Sequence, residues 1–182
     1  MIRLVKQDLT TSDADFICHQ VNCMGKMNSG VAKAIREKWP IVYEEYQEWQ
    51  FSYGSWAHAT TNENPENLMI STMLGNILIV PLFDAHTTKK QKYVVNMAAQ
   101  GYYGYDGKRY TSYDAFWSCL GHILEVVPEG SKIAFPYRIG CDRGGANWKV
   151  IYAMIAAAFG KNYDIEICYL EEDAWIRNRL GE

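Results

Sequence analysis

The residues with the clearest chemical capacity lie between Phe135 and Trp148, in the run Phe-Pro-Tyr-Arg-Ile-Gly-Cys-Asp-Arg-Gly-Gly-Ala-Asn-Trp. A short apolar stretch from Lys132 to Phe135 precedes this run, and an amphipathic helix pattern follows it. A strand therefore feeds a glycine-rich turn that opens into a helix. Glycine lets the backbone approach a ligand closely and reaches positive φ at little cost. A helix start adds free N–H groups and a partial positive charge. Together these features suit an anion, and a phosphate or diphosphate is the expected ligand. A second polar, glycine-containing loop, Asn22 to Gly30, leaves the strand-like run Ala14 to Val21. It enters a helix marked by Val31, Ile35 and Trp39 at helical spacing.

Positioning two such loops requires a sheet with helices on it. Strands are expected at Met1 to Lys6, Ala14 to Val21, within Leu74 to Leu82, at Tyr93 to Met97, Lys132 to Phe135 and Ile165 to Leu170. Helices are expected after Asn28 or Ser29, from Pro40 through Phe51, and from a Thr111 cap through Leu124. A further helix carries Val150, Ile151, Met154, Ile155 and Ala158 inward, and a short one closes the chain from Asp173 to Leu180. Gly54 to Asn67 reads as loop or edge strand, Asp84 to Lys90 as a turn, and Ala98 to Tyr110 as an irregular surface segment. Strands alternating with helices imply an α/β domain with a mixed, largely parallel sheet covered on both faces. Ligands of such sheets bind beyond the carboxyl ends of the strands, so loops 22–30 and 137–147 should share one cleft.

Composition bounds the rest. The 182 residues suit one domain spanning 1–182. A net charge of −3 and a pI near 5.8 argue against a broad nucleic-acid footprint. No apolar run is long enough to span a membrane, and the N-terminus lacks a signal-peptide pattern, so a cytoplasmic address is expected. Five cysteines, none paired at two-residue spacing, point to neither a disulfide framework nor a metal site. Cys18 and Cys168 read as small buried hydrophobes. No metal or cofactor is expected.

Four stretches, in this order and spacing, resemble the macrodomain family of ADP-ribose-binding α/β/α proteins. They are Gln7-Asp8-Leu9-Thr10, His19-Gln20-Val21-Asn22 with Gly30-Val31-Ala32-Lys33-Ala34-Ile35, Tyr93-Val94-Val95-Asn96-Met97, and Ile139-Gly140-Cys141 through Trp148. The pattern is closer to the branch of ADP-ribose-1''-phosphate phosphatases and terminal ADP-ribose glycohydrolases than to histone-type macrodomains. The resemblance implies a three-layer α/β/α fold and an ADP-ribose ligand, with ADP-ribosylated protein as a further partner. Membrane and nucleic-acid partners are not expected. The implied activity is hydrolysis of ADP-ribose 1''-phosphate, with de-ADP-ribosylation beside it; the alternative is a non-catalytic module that binds or sequesters the nucleotide.

Carried onto this chain, the resemblance places Asp8 against the adenine amino group, with Leu9 beside it. Asn22, Lys26, Met27 and Asn28 fall at the distal ribose, where Asn22 can instead cap the loop and Lys26 can be a solvated charge. Gly30 and Val31 face the proximal phosphate, and the second phosphate loop comprises Pro136, Arg138, Ile139, Gly140, Cys141, Asp142, Arg143, Gly144, Gly145, Ala146 and Asn147. One of Tyr102, Tyr103, Tyr105 and Tyr137 can cover the ribose or adenine, while Trp148 reads as packing. His19 and Asp142 are the leading catalytic candidates, with Asp106 and His122 behind them; an imidazole titrating near neutral pH suits acid–base work. Cys141 lacks the cysteine-x5-arginine cradle of a phosphatase nucleophile. The chain also departs from the glycohydrolase group. Ala99 or Gln100 stands where that group has a lysine, and Gly144 stands where it has an aspartate, so a Schiff-base route is not expected.

Overall fold

The computed structural model describes residues 1–60, 64–83 and 91–181. The elements in chain order are β1 (Ile2–Lys6), a one-turn 3-10 helix (Leu9–Thr11), β2 (Phe16–Asn22), α1 (Gly30–Lys38), α2 (Pro40–Thr60) and α3 (Pro65–Met73). They continue with β3 (Ile77–Leu82), β4 (Lys92–Gln100), α4 (Tyr113–Val126), β5 (Lys132–Pro136), α5 (Trp148–Phe159), β6 (Asp164–Tyr169) and α6 (Ala174–Leu180). Among the described residues the sheet has six strands in the order β1-β6-β5-β2-β4-β3. All neighbours are parallel except β3, which runs antiparallel to β4.

Near-continuous apolar strands bury both faces, as parallel sheets require. Side chains alternate between faces with period two. Phe16, Cys18, Val95, Met97, Ile133, Phe135, Ile165 and Ile167 pack with α4 and α5. Ile17, Val21, Val94, Ala98, Ala134 and Cys168 pack with Ile35 of α1, Val42 and Tyr46 of α2, and Met73 of α3. Cys18 and Cys168 are buried, as their apolar context implies.

Several expectations need correction. The loop or edge strand expected over Gly54 to Asn67 is helical where it is described, since α2 continues to Thr60 and α3 begins at Pro65; residues 61–63 lie outside the described residues. Pro65 sits in the first turn, and Asn64 caps the helix by accepting from the Glu66 N–H at 3.0 Å, so the turn-like composition there is a helix start. The turn expected over Asp84 to Lys90 lies outside the described residues. Ala98, Ala99 and Gln100 are buried β4 residues rather than surface loop. The cap of α4 is Ser112, whose Oγ accepts from the Ala115 N–H, not Thr111. On α5 the inward stripe runs through Trp148, Ile151, Ile155 and Phe159, and Val150 is exposed. Trp148 packs against Tyr137, Tyr152 and Trp175.

One buried ion cluster positions the start of the site. Glu166 of β6 accepts from Lys132 Nζ at 2.8 Å, Ser12 Oγ at 3.0 Å, Gln7 Nε2 at 3.3 Å and Arg3 at 3.4 Å. Asp13 shares the same Lys132 ammonium. The cluster ties β1, β5 and β6 to the segment that carries Asp8. Glu166→Gln keeps the volume but removes the charge from several charge-assisted bonds, and should cost about 2 kcal/mol in urea unfolding. An unchanged midpoint would show that the cluster adds no stability.

Candidate functional site

Two cavities open above the carboxyl ends of the parallel strands. The smaller, about 160 Å³, lies between the loop after β2 and the loop after β5, with Lys26, Asn28, Gly30, Val31, Asp142, Arg143 and Gly144 among its walls. The larger, about 530 Å³, is walled by Asp8, Leu9, Thr10, Cys168, Tyr169 and Asp173. Gly30, Val31, Pro136, Tyr137 and Arg138 border both, so the two form one groove with Asp8 at one end and Lys26 and Arg143 at the other.

The centre of the groove is built to hold an anion. Helix α1 starts there, and its Ser29 side chain makes no capping bond. By contrast α3, α4, α5 and α6 are capped by Asn64, Ser112, Asn147 and Asp173. No acidic residue sits in the first turn of α1. Its leading N–H groups are therefore left for a ligand. Across the groove, the N–H groups of Gly140, Asp142, Arg143 and Gly144 have no acceptor among the described residues, whereas those of Cys141, Gly145 and Ala146 close the loop on Arg138, Asp142 and Gly140 carbonyls. Lys26, Arg138 and Arg143 add positive charge with no ion-pair partner among the described residues. Arg138 also adopts φ +60°, the only positive value outside glycine among the described residues. Such backbone strain clusters at ligand sites.

A polar network from three other elements holds the second loop. Gln20 Nε2 donates to Gln100 Oε1 at 2.6 Å and to Thr111 Oγ1 at 2.9 Å, and Thr111 Oγ1 donates to the Gly140 carbonyl at 3.0 Å. The Gly144 carbonyl accepts from the N–H groups of Tyr110 and Thr111, both at 2.9 Å. Gly144 lies so close beneath this network that a Cβ would collide with Thr111 Oγ1 and the Gly140 carbonyl. No side chain of any kind fits at position 144.

The sequence matches no protein-family model and no curated protein. The structure does have clear neighbours. It superposes on the macrodomain of Mycobacterium tuberculosis DarG with a TM-score of 0.66 at 18% identity, covering 94% of this chain and 99% of that one. The fold is that of a macrodomain. The structure of Thermosipho africanus DarTG in complex with ADP-ribose aligns with a TM-score of 0.70 at 16% identity, over 97% of this chain and 44% of that one. A protein from Bacteroides thetaiotaomicron aligns with a TM-score of 0.69 at 25% identity, over 93% and 100%.

Within this macrodomain fold the residues singled out from sequence divide into two groups. Asp8, Leu9, His19, Asn22, Lys26, Asn28, Gly30, Val31, Tyr103, Pro136, Tyr137, Arg138, Ile139, Gly140, Asp142, Arg143 and Gly144 border the groove. Met27 instead points into the core beneath α1 and α2. Gly145, Ala146, Asn147 and Cys141 build the back of the loop. Asn147 caps α5, and the half-buried Cys141 thiol is pushed up to about 11 by desolvation, so it stays protonated at neutral pH. His122 and Asp106 bond to their own neighbours, Glu125 and Tyr110, and neither borders the groove.

Individual side chains show what each can do. Asp8 accepts from the Thr10 N–H and hydroxyl through Oδ1 alone, both at 2.7 Å, leaving Oδ2 for an amine donor. Asn22 organises its own loop: Oδ1 accepts from the N–H groups of Met24 and Lys26 and from the Tyr46 hydroxyl, and Nδ2 donates to the Lys26 carbonyl. Tyr137 donates to Asp173 Oδ2 at 2.6 Å and stacks on Trp175, so it is a fixed wall between the cavities. Burial and the Asp173 carboxylate both push its phenol pKa up.

The expectation that His19 titrates near neutral pH is corrected. His19 is 1% exposed, pairs across the sheet with Asn96, and has its Nε2 2.5 Å from Asn96 Oδ1. Burial pushes its pKa down to about 4, outweighing the Asn96 bond. With Asn96 Oδ1 accepting from Nε2–H, Nδ1 carries the lone pair and has no partner among the described residues. Gln20, Gln100 and Thr111 were missed from sequence. The available signal was two amides at the carboxyl ends of otherwise apolar strands.

Proposed function

We propose that this chain binds ADP-ribose along the groove and hydrolyses ADP-ribose 1''-phosphate to ADP-ribose and phosphate. The observation that carries the binding half is the uncapped start of α1 across the groove from the unpaired amides of Gly140, Asp142, Arg143 and Gly144. Two opposed sets of N–H groups suit a diphosphate, and they explain how a chain of net charge −3 accommodates a polyanion. The larger cavity then takes the adenosine, with Asp8 Oδ2 accepting from the adenine amine. The smaller cavity takes the distal ribose against Lys26 and Asn28. The similarity to a DarTG structure that holds ADP-ribose supports the same ligand.

For hydrolysis, Asp142 is the carboxylate at the mouth of the smaller cavity. In the proposed step Asp142 accepts a proton from a water whose oxygen bonds to phosphorus; the P–O1'' bond breaks with its electron pair on O1'', and that oxygen takes a proton from solvent to become the hydroxyl. An activity on ADP-ribosylated protein would use the same mouth. A non-catalytic module is favoured by one specific finding, that His19 is buried and neutral and leaves Asp142 without an imidazole partner.

Saturating ADP-ribose should raise the melting temperature, since a ligand at a hundred times its Kd adds about 2.7 kcal/mol to the native state. Asp8→Ala should weaken ADP-ribose binding about tenfold by removing a charge-assisted bond. No thermal shift in the wild type would defeat the binding reading. Phosphate release by wild type, lost in Asp142→Asn, supports the phosphatase; no release in either leaves a binding module.

A further inference from the structure

We infer that Tyr46 of α2 is a positioning residue for the groove: from the core it fixes, through Asn22, where Lys26 stands at the wall of the smaller cavity. The inference rests on the ADP-ribose reading and adds to it a residue that touches no ligand.

Tyr46 is fully buried and borders neither cavity. Val42 and Tyr46, one helical turn apart on α2, both pack beneath the sheet. Where β2 ends, its register with β4 slips: Val21 pairs with Ala98, but Asn22 pairs with Gln100. Such a bulge re-aims the residues that follow it. The Tyr46 hydroxyl meets the chain at that point, 2.5 Å from the Asn22 carbonyl oxygen and 3.2 Å from Asn22 Oδ1. Desolvation pushes the phenol pKa up, so near neutral pH the hydroxyl keeps its proton and donates. Asn22 in turn brackets Lys26. Its Oδ1 accepts from the Lys26 N–H at 3.2 Å, and its Nδ2 donates to the Lys26 carbonyl at 2.7 Å. The next residue of α2 adds a second tie, Gln47 Nε2 donating to the Gly25 carbonyl at 2.8 Å. The backbone of Lys26 is thus held by a chain of bonds that begins in the core, while its side chain is exposed at the cavity wall.

The far side of the same loop is anchored without Tyr46 hydrogen bonds. Met27 is buried in the core, and Asn28 accepts from Arg36 of α1 at 2.8 Å. The start of α1, which the diphosphate uses, therefore keeps its place when the Tyr46 hydroxyl is removed. The loss should fall on the distal ribose, because a site is only as well placed as the shell that supports it.

The test is titration calorimetry with ADP-ribose and with the β-methyl ester of ADP, which keeps the diphosphate charge and lacks the distal ribose. The proteins are wild type, Tyr46→Phe, Lys26→Met, the double variant and Gln47→Met. Wild type should bind ADP-ribose more tightly than the ester. Tyr46→Phe takes a buried donor from Asn22, and should weaken ADP-ribose about tenfold while the ester stays within twofold of wild type. Lys26→Met should also weaken ADP-ribose, and the double variant should lose no more affinity than the worse single variant, since both changes act through one residue. Gln47→Met should repeat the Tyr46→Phe pattern with a smaller loss, and it carries the test if Tyr46→Phe does not fold. Equal losses for both ligands, additive losses in the double variant, or ADP-ribose affinity unchanged in Tyr46→Phe overturn this inference alone. Failure of wild type to prefer ADP-ribose over the ester overturns the underlying placement of the distal ribose and this inference with it.

Discussion

Gly144→Ala is expected to weaken ADP-ribose binding about a hundredfold, the effect of losing two hydrogen bonds to a charged ligand at about 1.5 kcal/mol each. The added methyl collides with Thr111 Oγ1 and the Gly140 carbonyl and comes within 3.1 Å of Gln100 Oε1. None of these can retreat freely. Thr111 Oγ1 is bonded to Gln20 and Gly140, and Gln100 is bonded to Gln20 and the Tyr102 carbonyl. The loop must therefore lift, which moves the amides of Gly140, Asp142, Arg143 and Gly144 away from the proposed diphosphate position. Gly121→Ala is the matched control, since that glycine lies within α4 with open space around it. Alanine there should stabilise by about 0.5–1 kcal/mol. Titration calorimetry with ADP-ribose on both variants decides the matter. Affinity in Gly144→Ala within twofold of wild type would mean that this loop does not hold the diphosphate. The same crowding leaves no room for an aspartate at position 144, the residue that the resemblance to the glycohydrolase group would call for.

The second large effect is a loss of stability as pH falls. In the unfolded chain His19 protonates near pH 6.5; in the folded protein burial holds its pKa near 4. Between those values the unfolded state binds a proton that the folded state refuses, so stability drops with decreasing pH through this window. The separation corresponds to about 3 kcal/mol, fully present above pH 6.5 and lost by pH 4. Urea unfolding at pH 7.5, 5.5 and 4.5 should show the decline, and His19→Gln should flatten it. Asp13 and Asp173 have depressed pKa values, each through a side-chain hydrogen bond first, so their contributions vanish below the ordinary carboxylate range. That window lies lower and does not mimic the effect. If wild type and His19→Gln keep the same pH profile, His19 is not held neutral by the fold. Near pH 7 a neutral imidazole bonded through Nε2 has no proton to deliver to a leaving group. Its free Nδ1 lone pair can only accept.

The sequence by itself determined the parts that rest on short-range physics. Glycines at 30, 140 and 145 adopt positive φ at turns between strand and helix. The alternation of apolar runs with helical periodicity was enough to predict a mixed, largely parallel sheet covered on both faces, and the resemblance of four spaced motifs anticipated the three-layer fold. Both loops proved to wall one groove because parallel strands end on the same side.

Tertiary structure decided what depends on neighbours distant in the chain. Thr111 looks like a helix cap, yet its hydroxyl is drawn 29 residues away to the Gly140 carbonyl, leaving Ser112 to cap. Met27 lies in a polar loop but fills the space between α1, α2 and the sheet. His19 is an ordinary imidazole in sequence, and is held neutral because burial in the sheet outweighs the Asn96 bond, which favours the charged form. Arg143 reads in sequence as part of the second phosphate loop, and only the fold brings two tyrosine rings to its guanidinium. Turn and helix preferences act over a few residues, whereas burial, pKa and hydrogen-bond choice are set by whatever the completed sheet brings alongside.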